Sequence, residues 1–246
     1  MLSRRGPVEY RIFLGAAVLG AFLFAGLGLL GYQVAGGVTQ LKALDRTVTV
    51  KGLAEREAPA DIAIWPIQYT ETGDDLSEMF SAMEVQNGIV AEFLAEAGFR
   101  DEDVSIAVPT VLDREAQGYG RENGPPTRYS ATSTITVYSR DVDAVRQAMK
   151  RIFELGKTGI AITGQGHQAR TEFLFTGLNA LKPEMIEEAT RNARAVADKF
   201  ARDSDSRLGK IKQARQGQFS ISDRDSNTPY IKKIRVVSTL EYYLSD

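Results

Sequence analysis

The sequence predicts an α+β protein carried on a single membrane-spanning helix. Three observations lead there. An uncharged apolar run occupies Ile12 to Tyr32, several later segments alternate apolar and polar residues with period two, and two long segments between them carry helical periodicity. Strands that flank helices in this way predict mainly antiparallel sheets with helices packed on them.

The run IFLGAAVLGAFLFAGLGLLGY holds twenty-one residues without a charge. At about 1.5 Å of rise each, they match the roughly 30 Å of hydrocarbon in a bilayer, which predicts a transmembrane helix over residues 12–34. Arg4, Arg5 and Arg11 precede it, whereas Lys42 and Arg46 follow only after a neutral Gly-rich stretch. That bias assigns residues 1–11 to the cytoplasm, 35–46 to a linker and 47–246 to the far side of the membrane. A cleaved signal peptide is the competing reading, but its apolar core is usually about 7–15 residues long and Val34-Ala35-Gly36 is a poor cleavage site. Gly6-Pro7 stands where a twin-arginine signal has an apolar pair. Ala17, Ala21 and Ala25 share one helical face, a spacing that suits close helix pairing and is equally common in membrane spans that do not pair.

After residue 37 the chain carries 27 basic and 31 acidic side chains, a formal net charge of −4, and no cysteine. The acidic balance counts against nucleic-acid binding. The absence of cysteine excludes disulfides, thiolate metal sites and cysteine nucleophiles.

The elements follow in order. Thr47 to Lys51 predicts a strand that Gly52 ends, and Asp61 to Thr72 a second, at an edge or bulged at Pro66 because proline cannot donate to a ladder. Asp74 or Asp75 caps a helix with Glu78 in capping-box position, an apolar face of Leu76, Met79, Phe80, Met83, Val90, Phe93, Leu94 and Ala97, and a stop at Gly98. Val104 to Leu112 and Tyr129 to Ser139 are strands, the latter with Ser130, Thr132, Thr134 and Thr136 on one face and Ala131, Ile135 and Val137 on the other. Arg114 to Arg128 is a long polar loop. Asp141 to Leu155 is a helix presenting Val142, Val145, Met149, Ile152 and Phe153, ending at Gly156.

Ile160 to Thr163 and Glu172 to Gly177 predict two short strands. Pro183 opens a helix to about Arg202 that faces Met185, Ile186, Ala189, Ala193, Val196, Ala197 and Phe200 inward. Lys210 to Gln216 and Lys232 to Leu244 are strands around a polar loop, Gln218 to Ile231. The order strand-strand-helix-strand-strand thus recurs, predicting subrepeats of about 47–140 and 160–244 joined by the helix of residues 141–155.

The order and spacing of these pieces resemble the SIMPL-domain family of bacterial envelope proteins, which includes periplasmic immunogenic proteins and members linked to oxidative stress. The matching residues are Val48 to Gly52, Ala58 to Ala63, Ala97 to Val104, Tyr129 to Val137, Asp141-Val142, the Ala-rich helix from Ala189 to Ala201, and Leu208 to Ile211. Arg128 replaces the usual Gly before the Tyr-x-Ala strand, and Arg202 to Ser206 replaces an apolar-Gly helix ending. The resemblance implies a SIMPL-like periplasmic domain over residues 47–246, anchored in the inner membrane, able to form a homo-oligomeric ring and linked to stress. It supplies no catalytic residues.

The motif search is consistent with a protein that is not an enzyme. Gly164 to Ala169 fits the letters of a G-x-G-x-x-A dinucleotide fingerprint, but Arg170 to Leu178 reads as extended where that fingerprint needs a helix. Asp223 to Asn227 imitates the start of a calcium loop, yet Thr228 and Ile234 occupy its required Gly and Glu positions, which favours an Asx-rich turn. His167 is the only histidine and reads as an exposed loop residue. Glu187-Glu188 and Asp101-Glu102-Asp103 read as solvated charge. No cofactor or metal is expected. The aromatic loop residues Tyr119, Phe219 and Tyr230 are the candidate partner contacts, with packing back onto their own domain as the equal alternative. The expected function is a membrane-anchored, self-assembling envelope scaffold whose expected partners are the bilayer, itself and another envelope protein. The alternative is an adaptor or sensor for an envelope protein, small ligand or lipid, with a hydrolase or redox enzyme last.

Overall fold

The computed structural model describes residues 7–43, 46–116, 127–163 and 169–245. It is α+β, with antiparallel sheets and helices, and begins with an apolar helix, α1 (Pro7–Ala43). α1 exceeds the apolar run at both ends and continues through most of the expected linker. The chain divides into two compact units. The first holds Met1–Leu53, Glu187–Gly217 and Val237–Asp246; the second holds Ala54–Ile186 and Gln218–Val236.

The second unit is built on a five-stranded sheet. β2 (Ile62–Gly73) pairs antiparallel with β5 (Tyr129–Ser139), from Ala63 opposite Ser139 to Gly73 opposite Tyr129. β3 (Val104–Ile106) and β4 (Thr110–Asp113) follow one another along the far side of β5, and β6 (Glu172–Leu174) pairs with the start of β2. The single strand expected over Val104 to Leu112 is therefore two. Pro109 lies in the break, where a residue without an N–H interrupts no ladder. Pro66 is tolerated for the same reason. Gln68, two residues on, turns its carbonyl to Thr163 N at 2.9 Å, so Pro66 faces the side that β6, ending opposite Ile64, leaves uncovered.

Ala63, Trp65, Ile67 and Tyr69 of β2 and Ala131, Ile135 and Val137 of β5 point to one face, as the two-residue period requires. α2 (Leu76–Glu96) covers them with Met79, Met83, Val90, Phe93 and Leu94. Asp75 is its N-cap, accepting from Ser77 N at 2.8 Å and Glu78 N at 3.0 Å, and Gly98 ends the turn at φ +92°. Phe80 is exposed and not part of the apolar face. The helix expected over Asp141 to Leu155 breaks at Ile152 into α3 (Val142–Arg151), capped by Asp141, and α4 (Phe153–Lys157). Leu155 continues the buried series of Val145 and Ala148, while Phe153 lies off that stripe and is 78% exposed. Termination falls at Gly159, with φ +91°, and not at Gly156. The strand expected over Ile160 to Thr163 is a single bridge from Ile162 to Tyr69, and the one expected to reach Gly177 stops at Leu174.

α5 (Leu178–Asp203) starts a turn and a half earlier than its proline suggests, leaving Pro183 inside the helix. Its start is held by Asp61, whose carboxylate accepts Thr176 N (2.8 Å), Thr176 Oγ1 (2.9 Å) and Gly177 N (3.1 Å).

In the first unit, Met185's successors on α5 that face inward are Ala189, Ala193, Ala197 and Ala201, while Val196 and Phe200 are exposed. Small side chains at four-residue spacing let this helix lie close to its sheet. β1 (Thr47–Pro59) does not end at Gly52 but runs through it. A Cβ there would come within 2.5 Å of Ala193 N and 2.8 Å of its Cβ, so glycine is required by the approach of α5. The core comprises Val50, Ala193, Ala197, Leu240 and Tyr242. β9 (Ile231–Ser245) lies between β1 and β7 (Arg207–Gln216), pairing antiparallel with β7. Inside the expected polar loop, Ser220–Asp223 forms β8, also paired with β9, in the second unit.

Candidate functional site

Of the three aromatic loop residues singled out in the sequence, Tyr119 lies outside the described residues, as do His167 and Gly164 to Gln168. Phe219 stands half-exposed between β7 and β8. Tyr230 is turned inward. Its ring meets Phe173 edge-on, with centroids 6.1 Å apart and planes at 73°, the Arg146 guanidinium lies 3.5 Å from its centroid, and its carbonyl accepts Ala60 N at 2.8 Å. The calcium-like stretch is an Asx turn: Asp225 Oδ1 takes the amides of Asn227 and Thr228, each at 2.8 Å, and Asp223 pairs with Lys232.

Among the described residues, the carboxylates whose ionisation is displaced are all displaced downward. Arg100 holds Asp103 below its ordinary value, Arg128 does so for Asp113 and Arg151 for Glu154. Asp225 falls to about 2, first through the Thr228 hydroxyl and then through Arg224 and the two turn amides. Hydrogen bonds to the charged form are the common cause. Burial raises Tyr69, whose hydroxyl lies 2.9 Å from the Met83 carbonyl and 2.7 Å from Asn87 Oδ1. Among the described residues no three His, Cys, Asp or Glu side chains converge as a metal site would require.

Among the described residues, two concavities stand out on the second unit. One, of 440 Å³, lies between the turn at Gly98–Arg100, the end of β5 at Tyr138–Arg140 and the start of α3. Several of its polar groups are engaged: Arg100 binds Asp103 at 3.2 Å, the Asp141 side chain caps Ala144 N at 2.8 Å, and Ser139 Oγ receives Asp141 N at 3.0 Å. The other, of 250 Å³, lies at the uncovered side of β2. Trp65, Ile67, Met149, Ile152, Phe153 and Ile162 give it apolar lining, and Gln68, Thr163 and Thr171 polar lining. The sequence reading placed Phe153 inward and so missed this feature. The signal for it was present in the helix itself, where the inward series Val145, Ala148 continues to Leu155 and leaves Phe153 off that stripe.

The architecture is thus an α+β domain of helix-covered antiparallel sheets led by an apolar helix. A family model described as SIMPL, protein of unknown function (DUF541), matches residues 48–237, and the chain belongs to that family. No curated protein matches the chain.

Proposed function

We propose that this chain is a membrane-anchored envelope protein that acts by association and not by catalysis, assembling with copies of itself as a scaffold on the periplasmic side of the inner membrane. The observation that carries the reading is the surface of α1. Its segment Ala17–Val34 has a mean hydropathy of 1.8, and none of it is buried against the rest of the chain. An apolar surface of that length needs a cover, and a bilayer supplies one at the right thickness. Arg4, Arg5 and Arg11 before the span favour a cytoplasmic N-terminus.

The subrepeat reading belongs to the same proposal and draws support from the strand order. β2, α2, the broken edge β3/β4 and β5 are followed later by β6, α5, the broken edge β7/β8 and β9, and in both series the last strand pairs with both pieces of the broken edge. A two-fold internal duplication accounts for an interrupted edge strand arising twice at the same place.

Because the chain has no cysteine, the anchor is directly testable. Ser3→Cys and Ser245→Cys single variants, treated in intact cells with a membrane-impermeant maleimide that passes the outer membrane, should label only at position 245, and both should sediment with membranes at full length. Labelling at position 3, or a mature protein beginning near residue 37, would overturn the anchored topology.

A further inference from the structure

We propose that the 250 Å³ cavity beside Trp65 receives the Phe153 ring of a second copy of this chain, and that the two copies exchange rings reciprocally. The inference rests on the self-association reading and names its contact surface. A phenyl ring that is 78% exposed is itself part of the largely apolar lining of the hole. An apolar cavity of about 150 Å³ already accommodates benzene, so 250 Å³ admits a phenylalanine side chain with room for the flexible Met149 to adjust around it. Knob and hole belong to one patch, since Phe153 begins α4 and Ile152 before it lines the cavity. A patch carrying both halves of a contact is what a two-fold, isologous interface needs.

The rim is also complementary in charge. Lys150 lies one helical turn before Phe153 on the knob side, and Glu172 follows Thr171 on the hole side. Both are exposed, and among the described residues neither makes an ion pair, whereas Glu154 beside Phe153 is held by Arg151 at 2.8 Å. A two-fold operation that seats each ring brings each Lys150 toward the other copy's Glu172. The contact is small: two phenyl rings bury roughly 150–250 Å² each, well below the ~1,200 Å² of a stable interface. It therefore operates between copies already confined to one membrane plane, where effective concentration is high.

Trp65, the only tryptophan in the chain, lines the cavity and reports its filling. The full chain in detergent is diluted while mass is followed by light scattering and Trp65 emission is recorded. The wild type should dissociate with a parallel change in emission. Phe153→Ser should weaken association at least ten-fold and abolish the concentration dependence of emission. Lys150→Glu and Glu172→Lys should each weaken association several-fold, and the double reversal should restore it. Three results overturn the proposal: association and emission unchanged in Phe153→Ser, emission in that variant that differs from the wild type even at dilutions where the wild type has dissociated, which means the ring fills its own cavity, or no recovery in the double reversal. A wild type that is monomeric with constant emission at all concentrations instead sinks the self-association reading itself.

Discussion

Gly52 and Gly88 both sit inside regular elements, and their surroundings give them opposite roles. At Gly52 the backbone of α5 occupies the space a side chain would need. Gly52→Ala must push the helix off the sheet, an overpacking cost of about 1–3 kcal/mol or more, read as a lower denaturant midpoint. Gly88 lies within α2 with open space where its Cβ would be. Gly88→Ala should stabilise by about 0.5–1 kcal/mol, because alanine loses less backbone freedom on forming helix. The displaced carboxylates give a pH dependence at the same scale. Asp103, Asp113, Glu154 and Asp225 ionise lower in the folded chain than in the unfolded one. Their contribution is complete above the unfolded value near 4 and is lost as pH falls through the folded values, to about 2 for Asp225. The melting temperature of the detergent-solubilised chain should be flat from about pH 7 to 5 and decline below about 4. Asp225→Asn should make the lowest part of that decline shallower.

At the scale of elements, the legible features are those whose cause is local. Asp75 and Asp141 read as caps because the bonds they make are two or three residues away, and β5 reads as a strand because its alternation is uninterrupted. Asp75→Ala should cost about 1 kcal/mol of stability in a denaturant melt. The start of α5 was misread because its cap is supplied by Asp61, 115 residues earlier in the chain, so Pro183 looked like the first turn. The continuation of β1 through Gly52 was misread for the same reason: the glycine answers to α5, not to its own strand. The cavity beside Trp65 was invisible because it forms from β2, α3, α4 and Ile162 together, segments far apart in the chain. Asp61→Ala should therefore destabilise α5 as a normal cap loss would, by about 0.5–2 kcal/mol, although no local propensity changes.

For the molecule as a whole, charge is unevenly shared. Outside residues 1–45, the first unit carries ten Lys and Arg against seven Asp and Glu, while the second carries sixteen against twenty-three. The net-positive unit is the one that continues from the apolar helix. Deleting residues 1–37 should release the protein from membranes and shift its self-association to concentrations at least ten-fold higher, since the tether no longer confines copies to a plane. Fractionation and light scattering on the truncated chain check both halves of that statement.

The placement of β1 beside β9 also sets an order of events during synthesis. β1 follows α1 almost at once, yet its neighbour in the sheet emerges roughly 180 residues later. At ~5–20 residues per second of elongation, that strand waits on the order of 10–40 s with its hydrogen-bonding edge unpaired. The first unit is therefore completed only when β9 arrives, and until then its opening strand presents an edge that another chain could pair with.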